Sequence, residues 1–332
     1  MRVLVLGGTG FIGARLCALL ADAGHAPVAA GRRAGGRTLG LDIRDEAALR
    51  ASLRRVDAVV NCVAGGPGAI AAGAASLARA ARSVGLRQLV HVSSLAVYGD
   101  LEGEVDESAP LSAPATGWYA RAKRQAEAAL LPLAQAGTAV TVLRPGCVWG
   151  PGSRLWVERI AGLLVAGRLG DLGAGGDGWS NGVHVDDVAR AALAALRADA
   201  DADADASSSG RAARSRVYNL AAPDSPRWNA WFCDLALAIG ATPLRRVPAS
   251  RLRLDAWLAG APLHALRRLR GRGPWPVSPG LPALFARQLR LDATAATRQL
   301  GLTWTAYPTS LHQGAAWWLA QRAAPTRAGW VA

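Results

Sequence analysis

Short apolar runs alternate with Ala-rich stretches of helical periodicity through the first half of the chain. Each run has the length of a strand, and the stretches between them repeat apolar residues at helical spacing. The pattern predicts strands at Val3–Leu6, Val28–Ala30, Ala58–Cys62, Gln88–Val92 and Ala139–Leu143, and helices at Ile12–Ala23, Glu46–Leu53, Gly73–Val84 and Tyr119–Ala136. Because strands spaced by helices form parallel sheets covered on both faces, the predicted fold class is α/β with a doubly wound parallel sheet.

The segment from Asp199 to Arg216 departs from this pattern. Asp-Ala repeats run into serines and arginines and offer little apolar surface to bury. We therefore expect a mobile surface loop at 199–216, inserted between an apolar helix at Val185–Leu196 and a strand-like run at Val217–Leu220. The chain beyond this point is rich in Pro, Trp and Arg and predicts short helices.

Composition narrows the class of protein. The chain has 332 residues, of which 51% are hydrophobic and 19% charged, which excludes a wholly disordered chain. Its net charge is +14, but the arginines are scattered and do not alternate with aromatic residues, so we expect no nucleic-acid partner. No apolar run approaches the roughly 18 residues of a membrane span, so we expect no membrane partner.

The first residues and the cysteines indicate the compartment. The apolar run after Met1 is too short for the core of a signal peptide and is typical of a buried strand. The four cysteines are widely spaced and form no Cys-x-x-Cys pair. We therefore expect neither a metal site nor a disulfide framework, and a cytoplasmic protein.

A glycine-rich loop follows the first predicted strand and opens the first helix. Gly7, Gly10 and Gly13 have the spacing that permits a tight turn, a close approach to a pyrophosphate, and close packing of helix on sheet. The N–H groups at the helix N-terminus then face the phosphates. The loop predicts a dinucleotide-binding site, and the alternative is a merely structural turn.

The end of the second strand bears on the choice of cofactor. NAD sites usually place an acidic residue there for the ribose hydroxyls, whereas this chain has Arg32 and Arg33. Two guanidinium groups suit a 2′-phosphate, so NADP(H) is favoured and NAD(H) is the alternative. The alternative interpretation is that both arginines are solvated surface residues that bind no ligand. Asp42 and Ile43 are candidates for the adenine, through a hydrogen bond and packing respectively.

Tyr119 and Lys123 lie four residues apart and would share one face of a helix. A phenol titrates near 10, and a neighbouring ammonium lowers that pKa toward the range useful for acid–base chemistry. Lys123 is the only lysine, so 37 of the 38 basic residues are arginine. A surface ion pair would tolerate arginine, so a lysine here indicates a tight site. Ser94, at the end of a strand, is a candidate to hold a substrate oxygen.

These residues resemble the extended short-chain dehydrogenase/reductase family, also called the NAD-dependent epimerase/dehydratase family. The matching motifs are Gly7–Gly13, Asp42, Ser94 with Tyr98-Gly99, Tyr119 with Lys123, Leu143-Arg144-Pro145-Gly146 and His184-Val185-Asp186-Asp187-Val188-Ala189. The resemblance implies Tyr119 as the acid–base group, Lys123 as its modulator and a ribose ligand, and Ser94 as the holder of the substrate oxygen. It assigns a largely architectural role to residues 184–187.

The resemblance also implies a Rossmann domain with a smaller, mostly helical C-terminal substrate domain. We expect the NADP-binding domain at 1–165, also receiving 183–222, and the substrate domain at 166–182 and 223–332. The predicted cofactor-binding residues are Gly7, Thr9, Gly10, Phe11, Ile12, Gly13, Arg32, Arg33, Asp42, Ile43, Val63, Ala64, Lys123, Pro145 and Val148. A homodimer through the helix at Tyr119–Ala136 is a candidate assembly.

Departures from the family narrow the reaction. Leu95 and Ala96 follow Ser94 where sugar-nucleotide dehydratases carry acidic residues, which disfavours β-elimination. The run Asp177–Val183 lacks the Arg-Asp pair common in sugar-nucleotide enzymes, which favours another substrate class. The loop Cys62–Gly68 is short and leads almost directly into a helix, so it opens that side of the pocket.

Tryptophans near the expected pocket suggest an apolar or aromatic substrate, although core packing explains most single tryptophans. The predicted substrate contacts are Leu95, Trp118, Cys147, Trp149 and Trp179. The leading hypothesis is an NADPH-dependent carbonyl reductase, or the reverse alcohol dehydrogenase, for a hydrophobic small molecule. The alternatives are an NAD(P)-dependent epimerase of the sugar-nucleotide type and a non-catalytic NADP-binding regulator.

Overall fold

The structure is a computed structural model of the 332-residue chain. It describes residues 1–111, 114, 117–205, 215–259, 262, 263, 265, 266, 269 and 274–323, with the side chains of 199–205 and 249 outside that description.

The described strands and helices are as follows. The strands are β1 (Arg2–Leu6), β2 (Ala26–Gly31), β3 (Leu39–Gly40), β4 (Ala58–Asn61), β5 (Gln88–Val92), β6 (Gly103–Val105), β7 (Ala139–Pro145), β8 (Cys147–Trp149), β9 (Gly182–His184), β10 (Ser215–Leu220) and β11 (Leu289–Leu291). The helices are α1 (Phe11–Asp22), α2 (Glu46–Leu53), α3 (Gly73–Val84), α4 (Gly117–Leu130), α5 (Arg159–Val165), α6 (Val185–Asp205), α7 (Trp228–Ala238), α8 (Ala249–Leu258), α9 (Leu281–Ala286), α10 (Thr294–Gln299) and α11 (Tyr307–Ala323).

Seven strands form one parallel sheet in the order β10-β7-β5-β4-β1-β2-β3. The central strands are buried from end to end, as expected for a sheet covered by helices on both faces. Helix α1 packs against α6, while α2, α3 and α4 pack together and share a core with β1. The predicted doubly wound α/β fold is confirmed, and the crossovers bring the carboxyl ends of the strands to one edge of the sheet.

The chain divides into two compact units. Unit 1 comprises Met1–Gly146, Val185–Pro223 and Arg290–Trp304, and unit 2 comprises Cys147–His184, Asp224–Leu289 and the chain from Thr305 onward. The first division falls at Gly146 instead of near residue 165, because β8 pairs with β9 and α5 packs against α7 within unit 2. The return of the chain to unit 1 at 290–304 had no counterpart in the sequence prediction.

Unit 2 is built around an aromatic core. Trp228 lies at its centre, with ring centroids 4.9 Å from Phe285, 5.6 Å from Trp231 and 5.7 Å from Phe232. All four rings are buried. Aromatic side chains contribute large buried areas, which explains how short helices and two short strands form a compact unit.

Several predicted element ends differ in the structure. Helix α6 continues to Asp205, well into the segment expected to be a loop, because alternating alanines favour helix even beside aspartates. Strand β10 begins at Ser215, and residues 206–214 of the expected loop lie outside the described residues. Helix α4 ends at Leu130 and gives way to a 3₁₀ turn, because Pro132 lacks the N–H that a continuing helix needs.

None of the described helices has both the length and the apolar character needed to cross a bilayer.

Candidate functional site

The glycine loop has the geometry that a dinucleotide requires. Gly7 adopts a φ of +75°, a left-handed conformation that favours glycine. Gly8 N–H donates to the carbonyls of Val5 and Ala30 at 3.1 and 3.0 Å, and Gly10 N–H donates to Gly7 at 2.9 Å. The loop therefore closes on itself and delivers the chain into α1.

Close packing leaves no room for a side chain at two glycines of this loop. A Cβ at Gly13 would lie 2.2 Å from the carbonyl oxygen of Gly7, and one at Gly8 would lie 2.8 Å from the Cα of Ala29. The first turn of α1 is held directly against the loop and the sheet. Its N–H groups stand where a pyrophosphate would bind, so the residues present fit a dinucleotide cofactor.

The end of β2 presents basic and small residues. Arg32 and Arg33 are exposed, and a Cβ at Gly31 would lie 3.1 Å from the hydroxyl of Thr9. Asp42 accepts bonds from the Arg44 guanidinium at 2.6 and 3.0 Å. Arg44, with a smaller effect from Arg32, lowers the pKa of Asp42 to about 2. The cofactor-binding roles predicted for these residues stay predictions.

Other predicted cofactor contacts are placed as follows. Ile43 is buried, and a Cβ at Gly73 would lie 2.4 Å from its Cγ2, so this side chain packs on α3. Val63 follows β4, and its N–H donates to Asn61 Oδ1 at 3.1 Å. The carbonyl of Cys62, just before it, would lie 3.0 Å from a Cβ on Gly7, so the turn after β4 touches the glycine loop. Pro145 ends β7 in unit 1, whereas Val148 belongs to unit 2.

Two adjacent serines at the end of β5 have different environments. Ser93 is buried, and its hydroxyl donates to Glu127 at 2.5 Å. Ser94 caps the 3₁₀ turn Leu95–Tyr98 by accepting from the N–H of Ala96 at 3.2 Å. No described residue accepts a hydrogen bond from Ser94, so its hydroxyl hydrogen is available to a ligand.

Lys123 is buried beneath the carboxyl end of β5. Its side chain is 2% exposed, and Nζ donates to the carbonyl oxygen of Val92 at 2.7 Å. The other two N–H donors of the ammonium have no acceptor among the described residues, which fits the ribose hydroxyls of a nicotinamide cofactor. Burial lowers the pKa of Lys123 to about 8, with Cys62 and Glu127 acting in the opposite direction.

Tyr119 and Trp118 open the same helix. Lys123 Nζ lies 5.9 Å from the centroid of the Tyr119 ring, which confirms that the two side chains share a face of α4. Trp118 is 48% exposed and meets Tyr119 edge to face at 5.7 Å. Arg124 donates to the carbonyl of Val97 at 2.7 Å, which ties α4 to the turn that follows Ser94.

A buried polar network supports this end of the sheet. Glu127 receives two bonds from Arg144, at 2.7 and 3.1 Å, and the bond from Ser93. Arg144 also donates to the Tyr98 hydroxyl at 3.0 Å, and that hydroxyl donates to Asn219 at 2.6 Å. The network connects α4, β7, β10 and the turn after β5. Sequence reasoning did not assign Glu127 to the site, although it stands four residues after Lys123.

Three of the predicted substrate residues lie in unit 2. Cys147 is buried, and burial raises the pKa of its thiol. Trp149 is also buried and stacks on Trp231 at 5.2 Å. The Trp179 ring receives the Arg227 guanidinium at 4.5 Å. Leu95 and Trp118 belong to unit 1.

The chain is similar to a known family and to two reductases over most of its length. A family model described as NAD dependent epimerase/dehydratase family matches residues 3–221. A 3-diazoavenalumate denitrifying reductase of a Streptomyces species is 34% identical over 298 residues, which are 82% of this chain and 91% of the relative. A 2-alkyl-3-oxoalkanoate reductase of Stenotrophomonas maltophilia is 29% identical over 294 residues, 82% of this chain and 86% of the relative.

Solved structures share the fold at lower identity. A UDP-glucose 4-epimerase of Thermotoga maritima with UDP-glucose aligns over 97% of this chain and 100% of its own, at 20% identity and a TM-score of 0.72. A human epimerase family protein with NADPH aligns over 95% and 99%, at 21% identity and a TM-score of 0.68. The chain therefore belongs to the NAD-dependent epimerase/dehydratase family and is an NAD(P)-dependent oxidoreductase of the extended short-chain dehydrogenase/reductase type.

Proposed function

We propose that the protein is an NADPH-dependent carbonyl reductase for a hydrophobic or aromatic small molecule, with the reverse alcohol oxidation as the same chemistry. The observation that carries the proposal is the buried Lys123 ammonium beside the Tyr119 ring, 5.9 Å from its centroid. A buried cation costs stability, and its retention next to a phenol supports an acid–base role.

In the proposed reaction, three residues of unit 1 have separate roles. Bound nicotinamide supplies the hydride to the carbonyl carbon. The hydroxyl of Ser94, whose hydrogen is not donated to any described residue, donates to the carbonyl oxygen and holds it in place. Tyr119 donates its proton to that oxygen as the new C–H bond forms. The positive charge of Lys123 stabilises the resulting phenolate, and the bond to Val92 fixes the ammonium in position.

The names of the two relatives support the substrate class. One acts on a 2-alkyl-3-oxoalkanoate, a hydrophobic ketone, and the other on 3-diazoavenalumate. Both names are those of carboxylates. We infer that the substrate of this protein is likewise an apolar molecule that carries an acidic group.

Replacement of Tyr119 by phenylalanine tests the reaction. Tyr119→Phe removes the proton donor and keeps the ring, so turnover of a ketone should fall by at least about a hundredfold. The assay is NADPH absorbance in a screen of aliphatic and aromatic keto acids. Tyr307→Phe is the matched control, because that hydroxyl is bonded to Asp234 within unit 2. Undiminished turnover in Tyr119→Phe would contradict the mechanism.

The same assay separates the reductase from an epimerase. A reductase consumes one NADPH for each substrate, whereas an epimerase oxidises and re-reduces one carbon without net consumption. Turnover of a sugar nucleotide at constant NADPH would favour the epimerase. A protein that binds NADPH and turns over neither class of substrate would favour a regulator.

Arg32 and Arg33 are proposed to bind the 2′-phosphate. Replacing both by glutamate should raise KM for NADPH by at least about tenfold and leave KM for NADH unchanged or lower. Arg37→Glu is the control for the loss of positive charge near β2. Equal effects on the two cofactors would contradict the assignment.

Reductive removal of a diazo group is a second candidate, favoured by the relative that matches over 91% of its length. In that reaction hydride forms a C–H bond at the ring carbon, and dinitrogen leaves with the electrons of the C–N bond. No proton has to be delivered at that carbon. Tyr119→Phe should therefore spare dinitrogen release while it abolishes ketone reduction, which distinguishes the two reactions in one variant.

A further inference from the structure

Helix α8 of unit 2 exposes a stripe of large apolar side chains. Trp257 is 78% exposed, Leu258 57% and Leu254 54%. These positions are three and four residues apart, so the three side chains lie together on one face of the helix. Three of the ten large apolar residues that are exposed in the described part of the chain therefore fall within this one helix of ten residues. Single exposed leucines are ordinary, whereas a contiguous apolar stripe marks an interaction surface.

The opposite face fixes α8 to the rest of unit 2. Leu252 and Ala256 are buried. Asp255 accepts two bonds from the Arg168 guanidinium, at 2.5 and 2.9 Å, and Arg168 also donates to the carbonyl of Trp275 at 2.7 Å. The helix cannot turn its apolar stripe inward without breaking these contacts, so the exposure of the stripe follows from how α8 is anchored.

Positive charge borders the stripe on both sides. Arg251 and Arg253 are exposed, and at about 100° per residue they fall on opposite edges of the stripe. The helix has one acidic residue, Asp255, which is bound to Arg168 on the anchored face. In the sequence, residues 245–272 contain eight arginines and no acidic residue besides Asp255. The exposed face of α8 therefore combines apolar side chains with cationic groups.

We propose that the outer face of α8 docks on an anionic lipid bilayer. The outer face comprises Arg251, Arg253, Leu254, Trp257 and Leu258. The apolar side chains enter the boundary between headgroups and acyl chains, while the guanidinium groups bind lipid phosphates. An indole suits this depth, because it is apolar and carries one N–H donor.

The length of α8 agrees with a helix that lies in the plane of the membrane surface. Its ten residues extend about 15 Å, half of the roughly 30 Å of a hydrocarbon core. The sequence-based expectation of no membrane partner rested on the absence of a spanning run. Docking at the surface needs no such run.

Charge distinguishes a bilayer from a second copy of the chain. The chain carries a net charge of +14, and the outer face of α8 is bordered by arginines, so two copies that meet through this face bring like charges together. Anionic headgroups supply the opposite charge, and the hydrocarbon beneath them accommodates the apolar stripe. A fluid bilayer meets both requirements without a preformed pocket.

Flotation of the full-length protein with large unilamellar vesicles tests the proposal. The vesicles contain phosphatidylcholine alone or an equimolar mixture with phosphatidylglycerol. Wild type should bind the mixed vesicles in preference to the neutral ones, and salt should weaken the binding. The double variant Leu254→Ala, Trp257→Ala should bind the mixed vesicles at least about tenfold more weakly, and Arg251→Gln about fivefold more weakly.

Matched controls come from elsewhere in unit 2. The double variant Leu155→Ala, Leu237→Ala removes two other exposed leucines. Arg154→Gln removes one charge from an exposed position. Both controls should bind the mixed vesicles as wild type does, because neither changes the outer face of α8.

Four outcomes would overturn the assignment. Wild type that does not bind the mixed vesicles has no such surface. Unchanged binding in the Leu254→Ala, Trp257→Ala variant leaves only the unspecific attraction of a basic chain. Equal weakening in the Leu155→Ala, Leu237→Ala control places the contact elsewhere. Wild-type dimers that dissociate in the α8 variant, seen by light scattering without any vesicle binding, would assign the face to a second copy.

A second measurement does not depend on how well the alanine variant folds. Mixed vesicles made with dibrominated acyl chains should quench part of the wild-type tryptophan fluorescence. Trp257→Phe keeps an apolar ring, so it should still bind these vesicles while much of the quenching is lost. Quenching that is the same in both proteins would refute the proposal. Neither measurement involves turnover, so the vesicle results stand whether or not the proposed reductase reaction is observed.

Discussion

The buried ammonium of Lys123 should leave a distinctive mark on stability as a function of pH. Burial lowers its pKa from the ordinary 10.5 to about 8 in the cofactor-free protein. Between these two values the unfolded chain holds a proton that the folded protein has released. The free energy of unfolding therefore rises with pH through this window. The cost of burying the charged Lys123 side chain is fully present below about pH 8.

The size of the effect follows from the shift. A difference of roughly 2.5 pKa units at about 1.36 kcal/mol each corresponds to about 3 kcal/mol. Lys123→Met removes the titrating group, and at neutral pH this relieves the penalty of burying the ammonium. The substitution also removes the hydrogen bond to Val92, and the loss of about 1 kcal/mol offsets part of that stabilisation. That offset is nearly constant with pH, so it cancels when the wild type is compared with the variant across a pH series.

Guanidinium chloride unfolding from pH 7 to 10.5 provides the measurement. The free energy of unfolding of wild type minus that of Lys123→Met should increase by about 3 kcal/mol across this range. The chain suits the experiment, because it contains no other lysine to titrate in this window. A difference that stays flat, or that falls as the pH rises, would refute the reasoning, since a lysine stabilised by a charged partner gives the opposite slope.

Three further predictions concern packing and recognition in unit 1. Glu127→Ala leaves the Arg144 guanidinium buried without its partner and should lower the free energy of unfolding by about 3–5 kcal/mol. A decrease below about 1 kcal/mol would indicate that water replaces the carboxylate. Gly13→Ala forces a Cβ to within 2.2 Å of the Gly7 carbonyl oxygen and should weaken NADPH binding by at least about tenfold. Fluorescence titration measures this affinity, and a near-normal value would show that the loop relaxes without cost. Trp118→Ala should raise KM for aromatic ketones by about 2- to 10-fold and spare aliphatic ones, and equal changes for both would contradict an aromatic contact.

The sequence predicted the alternating core of unit 1 well, because periodicity is a local property. The ends of β5, α2 and α3 coincide with the predicted ends. The sequence could not predict the pairing of β11 with β6, since both are short strands from distant parts of the chain. Their pairing is decided by tertiary packing, and short apolar runs carry no register information of their own.

The candidate site shows the same division. Lys123 stood out because a single lysine in an arginine-rich chain is a compositional exception. Glu127 gave no such signal, although its spacing from Lys123 places it on the same helical face. Only the structure shows that its carboxylate accepts bonds from both Arg144 and Ser93, because those residues come from β7 and from the end of β5.

The re-entry of residues 290–304 into unit 1 has a consequence for synthesis on the ribosome. The strands of the seven-stranded sheet are all encoded before residue 221. The strand partner of β6, and the Gln299 side chain that accepts a hydrogen bond from the Tyr218 hydroxyl, arrive only with the later segment. A nascent chain must therefore hold an incomplete unit 1 while residues 224–289 of unit 2 are translated. Expression of residues 1–223 alone should therefore yield a fragment in which β6 lacks its strand partner and exposes an unpaired edge.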